Sequence, residues 1–521
     1  MSIKKLAGQT LWYGLPTITS RFIGYILNFS LAYLYHAVDT ADIVTIYAII
    51  PFLNILFTYG VETGYFRFVQ NKNKNELYST LNISILITTI LFTALLLFFS
   101  QELANATFMP THPEYFRWIA WIIFFDTLST LPFAKLRQEN RPRKYAFVRI
   151  LSIVINVLLV VYFLGVCPAI ADKDPNSPLL LFYDPSIGIG YYLIGNLIGS
   201  MVTFILLLNE FKTIHFSFNG KLWKEVMKYS YPLIIVGLGG MINEMLSRLV
   251  YQYVVPISPL EAKEQLGIFG ANYRLAVLIT IFIQMFRMAA EPFFFNQSQK
   301  ENAKNTYARV MKFFVIACCC MFLVVGLYLD LFQKLLTLKY SEYGEGIHIV
   351  PILALGNVFL GIYYNLSVWY KLTNNNLYGA AITIAGAVIT VVLNIWWIPL
   401  FGYTGSAWAT FCCYFFMMVS SYALGQKFYP IPYARKKLIA YLLLAVIVYL
   451  IHQSLIYLYH PVWFSITTAT ILLLMFILFI ARIEKKRISK TTYDRQIFWS
   501  YARSTGRTKT TIAVKLYQNT N

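Results

Sequence analysis

Along the 521 residues, apolar stretches of about twenty residues recur fourteen times, separated by short polar gaps. Their centres lie near Ile23, Leu56, Ile87, Ile122, Ile155, Ile198, Val236, Ile279, Ile316, Asn357, Val388, Cys413, Ala445 and Leu472. A helix needs roughly 20 apolar residues to cross the hydrocarbon core of a bilayer. Inside that core every backbone polar group must be satisfied internally, which leaves only helices and closed barrels. Barrel strands are about ten residues long and alternate in polarity. These stretches do not alternate, so the chain is expected to be an all-α polytopic membrane protein. Only 13% of its residues are charged, against about 25% in soluble domains.

The gaps are sorted by charge. With the N-terminus placed inside, the inner segments are 1–5, 67–77, 135–144, 210–228, 300–312, 371–376, 427–437 and 482–521. They hold 33 of the 43 Lys and Arg residues. The outer gaps hold five, Arg117, Lys173, Lys263, Lys334 and Lys339. Insertion leaves basic loops in the cytoplasm, so both termini are expected there, in a cell inner (cytoplasmic) membrane. The formal charge of +20 then reflects topology and anionic headgroups, and no nucleic-acid partner is expected. The tail 482–521 carries ten basic and two acidic residues and is expected to lie on the inner membrane surface. A short basic start runs straight into the first long apolar stretch, which reads as an uncleaved first helix. Of six cysteines, Cys318, Cys319, Cys320, Cys412 and Cys413 lie in apolar segments and Cys167 stands alone, so no disulfide framework is expected.

The first twelve segments divide into two sets of six. Pro16 and Pro232 occupy the first helix of each set, 216 residues apart. Glu62 and Glu291, 229 apart, are each followed by an aromatic pair, Tyr65-Phe66 and Phe293-Phe294. Tyr78 and Tyr307 repeat that spacing, Lys135-Leu136 and Lys371-Leu372 end the fourth helices, and Asn156 and Asn394 lie in the fifth. Gly188/Gly190 and Gly402/Gly405 precede the sixth. An even number of spans gives both copies one orientation, hence a parallel repeat about the membrane normal. The expected organisation is a first lobe over 1–222, a second over 223–430, two extra helices over 431–481 and the basic tail 482–521. Two such lobes facing each other enclose a central cavity, and rocking them gives alternating access.

Three stretches carry a family resemblance: Lys135–Phe147 (KLRQENRPRKYAF), Met241–Gln297, and Trp369–Thr410. They resemble the polysaccharide-transporter branch of the multidrug/oligosaccharidyl-lipid/polysaccharide exporter superfamily. The resemblance implies a MATE-like fold and a flippase of the O-antigen type. Its implied substrate is a polyprenyl-pyrophosphate-linked glycan, moved for lipopolysaccharide or other surface polysaccharide synthesis. Membrane lipids and other polysaccharide-assembly proteins are the implied partners.

Five arginines belong to neither set of gaps: Arg21, Arg149, Arg248, Arg274 and Arg287. A cation at the bilayer centre costs roughly 2.5–3.5 kcal/mol on insertion scales, so each needs a cavity, a partner or the interface. Arg149 follows a basic loop and is expected to snorkel to the interface. Arg21 and Arg274 lie too deep for that, and Arg248 has Glu244 one turn before it. Arg274 and Arg287 are about 140° apart around one helix, so Arg287 is assigned to an ion pair with Glu291. A guanidinium grips phosphate with two parallel hydrogen bonds. Arg21, Arg248 and Arg274 are therefore the candidate pyrophosphate ligands, with Tyr25 and Tyr273 as candidate sugar contacts. Glu62, Asp126, Glu244 and Glu291 can pair with those arginines, or bind Na+ or H+ as a coupling ion. No other cofactor is expected. Among the six histidines, His36, His112 and His215 do not cluster, and neither metal-ligand spacing nor a nucleophile–base pair is present. A membrane-embedded glycan polymerase or ligase would need such groups. Within the superfamily, a cell-wall lipid precursor flippase shares the basic-cavity chemistry. A cation-coupled multidrug exporter should offer a net acidic cavity instead.

Overall fold

The computed structural model describes residues 30–505 except 216, 299, 374 and 460, together with 19, 22–24, 26 and 27. The side chains of 289, 291, 292, 296 and 486–505 lie outside that description. The described residues form helices and connecting turns, without a strand. Twelve of the helices are long and apolar enough to cross a membrane. One of them, α11 (Asn376–Phe428), has 53 residues and would reach about 80 Å if straight. It is broken at Gly402, where φ is 56° and ψ is −141°, a conformation that a residue with a Cβ rarely adopts. The two parts fold back on each other, with Ser406 donating to the Asn394 side chain (3.0 Å) and Cys413 to the Gly386 carbonyl (3.4 Å). Twelve helices thus carry thirteen of the fourteen apolar stretches. The remaining one, near Ile23, is described only in part.

The other helices that position the site are α1 (Ala37–Thr58), α2 (Val61–Phe68), α3 (Lys74–Phe98), α4 (Pro113–Gln138), α5 (Pro142–Val161) and α6 (Tyr191–Phe211). After them come α7 (Gly220–Val254), α8 (Pro259–Gln297), α9 (Ala303–Leu327) and α10 (Val350–Leu366). Beyond α11 lie α12 (Arg435–Leu458) and α13 (Val462–Thr505). Side-chain amides start two of them: Asn73 accepts from Asn75 and Glu76 at α3, and Asn219 from Lys221 and Leu222 at α7. Gly188 before α6 has φ 49° and ψ −127°, close to the angles of Gly402 before the second part of α11.

Buried apolar side chains group by position along the chain. Clusters built from residues 27–226 pack α1 to α6 and the start of α7. A larger one, from Tyr251 to Ile480, packs the later helices. The exceptions are Ala32, Ala37, Ala41 and Val44, which join the later core. They mark a seam where α1 meets α8, at the end of the bundle opposite the Lys/Arg-rich loops. These two ends are called the far end and the basic end. At the seam Lys263 pairs with the buried Asp42 at 2.8 Å. The Glu342 carboxylate accepts from the Ala37 amide (2.8 Å), and the Tyr343 hydroxyl donates to the Tyr35 carbonyl (2.8 Å). A Cβ on Gly267 would lie 1.8 Å from the Ala37 carbonyl oxygen, so α8 approaches α1 backbone to backbone.

Candidate functional site

Toward the basic end the seam gives way to a cavity of about 610 Å³. Its wall comes from α1, α2, α4, α5 and α6, and Met288 of α8 closes it from the later helices. Four charged residues line it: Glu62, Asp126, Arg137 and Arg149. Asn54, Thr58, Thr63, Ser129, Thr130 and Thr203 add amide and hydroxyl groups.

Local structure explains why these residues share a space. The second apolar stretch breaks at Tyr59 and Gly60, both left-handed (φ 32° and 74°), and the chain restarts as α2 with Glu62 in its first turn. On α4 the lining positions are Asp126, Ser129, Thr130, Phe133 and Arg137. Offsets of 3, 4, 7 and 11 residues at about 100° each keep them on one face. Tyr145 and Arg149, four apart on α5, repeat that logic.

The charges are held in place. The Arg137 guanidinium pairs with the Glu62 carboxylate and stacks 4.9 Å from the centre of the Phe66 ring, so two residues one turn apart on α2 fix it from both sides. The Arg149 guanidinium lies 4.1 Å from Phe133 and 5.9 Å from Tyr145. Asp126 has Ser200 beside it and feels the Arg149 charge. Cation–π contacts of this kind contribute about 0.5–2 kcal/mol. A ring covers a face of the guanidinium and not its N–H edge, which on Arg137 is turned to Glu62. With two acids and two guanidiniums the cavity is formally neutral, and an incoming anion must compete with Glu62 for the Arg137 donors.

The later helices hold a second charged group. Arg248, only 9% exposed, lies 4.0 Å from the Tyr273 ring centre. The Arg248 guanidinium also donates to the Met245 sulfur, and Tyr414 neighbours Tyr273. Glu244 acts electrostatically on Tyr273, Tyr364 and Tyr414.

The structure therefore sorts the expected site residues. Glu62 and Asp126 come together on the cavity wall. Arg248, Tyr273 and Glu244 lie together among the later helices, away from that wall. Arg274 is half-buried nearer the far end, where its charge acts on Tyr343. Arg21 and Tyr25, with Pro16, lie outside the described residues. The Glu291 side chain does too, while Arg287 stacks 4.8 Å from the Tyr364 ring centre. Arg149 is exposed two turns into α5 at the basic end, where Phe133 and Tyr145 also set it on the cavity wall. Arg137 was assigned to a basic loop, but α4 continues through Gln138 and aims it at Glu62. The stripe of polar residues at helical spacing on α4 is the signal that could have found it.

Residues 6–298 match the polysaccharide biosynthesis protein family. No curated protein matches the chain by sequence. Among solved structures the fold is similar to the lipid II flippase MurJ in an inward closed conformation, with a TM-score of 0.66 at 15% identity over 90% of this chain and 98% of that one. It is also similar to a multidrug resistance MATE family transporter of the MOP superfamily in its inward-facing conformation (TM-score 0.55, 14% identity, 83% of this chain and 95% of that one). A MATE structure in the straight conformation gives a TM-score of 0.58 at 13% identity, over 84% and 96%.

Proposed function

The chain belongs to the polysaccharide biosynthesis protein family, and from that premise we propose that it is a flippase for a lipid-linked glycan. Family and fold are those of transporters and flippases, not of catalytic enzymes. The proposed substrate is a polyprenyl-pyrophosphate oligosaccharide, and the proposed site is the cytoplasmic membrane with both termini inside. In that orientation the basic end faces the cytoplasm, where the charge-sorted loops place it.

The observation that carries this reading is the polar, arginine-bearing cavity at the basic end, closed at the far end by the α1–α8 seam. A pyrophosphate entering from the basic side meets Arg137 and Arg149, whose planar forks match phosphate oxygens in pairs. Binding there takes Arg137 from Glu62. The freed carboxylates of Glu62 and Asp126 then accept the coupling cation, Na+ or H+. Arg248 and Arg274 lie nearer the far end and serve the anion after the seam opens, with Tyr273 and Glu244 beside Arg248. Arg21 and Tyr25 belong to the same proposed path. The lipid tail stays in the bilayer throughout, so only the headgroup crosses a low-dielectric zone.

The test uses proteoliposomes loaded with a fluorescent polyprenyl-pyrophosphate glycan. Leaflet exchange without chemical change is expected, and Arg137→Ala and Arg149→Ala should slow it. Normal exchange in both variants would remove the phosphate role, and a covalently altered product would point to an enzyme. The similarity to the lipid II flippase favours a second reading, a cell-wall lipid precursor as cargo. Running both lipids in the same assay separates the two.

A further inference from the structure

A second concavity, of about 480 Å³, runs along the later helices, walled by α9, α10, the second part of α11 and α12. It shares no residue with the charged cavity, and α13 contributes nothing to its lining. Its lining is apolar except at one end. Phe415, Val419, Ile439 and Leu443 on its wall are strongly exposed, so the groove opens sideways, where a bilayer would lie. The one charged lining residue is Arg435, the first residue of α12, at the basic end. Among the described residues no carboxylate pairs with Arg435, whereas Lys437 two positions on is held by Glu484 at 3.2 Å. From Arg435 to Val446, the last lining position on α12, the rise is about 16 Å. That is close to half of the roughly 30 Å hydrocarbon core. The groove thus spans about one leaflet's depth, with a cation that no described carboxylate pairs at its basic end and a mostly apolar wall beyond it.

We propose that this groove holds one acyl chain of an anionic phospholipid, with its phosphate on Arg435. Length and polarity choose the occupant. A chain of one leaflet's depth fills the slot, and the lone cation marks where its headgroup sits. Seated there, the lipid fills the joint between α12 and the bundle formed by α9, α10 and α11.

The experiment is native mass spectrometry of the full chain in detergent, titrated with dioleoyl phosphatidylglycerol, dioleoyl phosphatidylcholine and undecaprenyl phosphate. One tightly retained phosphatidylglycerol per chain is expected. Losing a hydrogen bond to a charged group costs about 1.5–3 kcal/mol, so R435Q should weaken retention roughly tenfold or more. V419W fills the groove from its exposed edge, far from the charge, and should weaken retention of the same lipid. Both substitutions are at exposed positions, and gel filtration confirms that each variant is folded. Equal binding of phosphatidylcholine, unchanged retention in either folded variant, or displacement of the phospholipid by equimolar undecaprenyl phosphate would overturn the proposal.

Discussion

The molecule holds arginine on aromatic rings in two places, and the surroundings make the two unlike. Around α4, Arg137 and Arg149 stack on Phe66, Phe133 and Tyr145 at the wall of a 610 Å³ space. Around α7, Arg248 stacks on Tyr273 at a similar distance but is 9% exposed, with Glu244 and Tyr414 close by. Ring contact supplies the same modest stabilisation in both settings. What differs is burial, since Arg137 and Arg149 line a cavity whereas Arg248 is almost wholly covered. The first setting can exchange its carboxylate for a ligand, whereas the second must rearrange before it can.

The largest effect should come from Arg137. Arg137→Ala removes the proposed two-point phosphate grip and leaves Glu62 without its cation, so flipping is expected to fall about 10- to 100-fold for a loss of roughly 1.5–3 kcal/mol. Arg137→Lys keeps the charge but not the fork, and should recover only part of the rate. If Lys restores full flipping, the planar grip is unnecessary. A comparable shift is expected at the seam. Asp42→Asn leaves Lys263 without a counter-charge, and breaking a buried pair costs about 3–5 kcal/mol, less here because Lys263 is partly exposed. Cysteines placed along α1 and α8 near the far end should then react faster with a membrane-impermeant thiol reagent. Unchanged labelling would mean that the seam is held by backbone packing at Gly267 rather than by the ion pair.

Arg149→Ala should slow flipping about tenfold, since a charged hydrogen bond is lost but the Arg137–Glu62 pair remains. The smallest transport effect should come from Arg248→Ala. Its main consequence is expected in stability, with about 1–2 kcal/mol of cation–π and hydrogen bonding lost and a lower melting temperature in detergent. A variant that melts normally yet fails to flip would place Arg248 among the groups that handle the anion directly, and would erase the contrast between the two settings.

Much of the architecture could be read before any coordinates. The membrane stretches correspond to helices because length and polarity alone decide what can cross hydrocarbon. The pairing of Gly188 with Gly402 was legible as a repeat, and both backbones adopt nearly the same unusual angles. At the cavity, Glu62 and Asp126 stood out because an acid inside an apolar run is expensive. Arg137 did not, because its helix ends in a loop full of cations and sequence cannot say which of them turns back into the membrane. Arg149 was legible as a cation near the basic end, but not as one that borders a cavity, since snorkelling and stacking on Phe133 demand the same residue at the same depth.

By itself, then, the sequence determined a polytopic helical chain and its charge asymmetry, since both follow from solvation of single segments. Only the tertiary structure decided which charges face the same void. Whether an arginine meets Glu62, a tyrosine ring or open space depends on how α2, α4 and α5 rotate against one another. That rotation is set by packing between segments far apart in sequence, which no single segment's composition specifies.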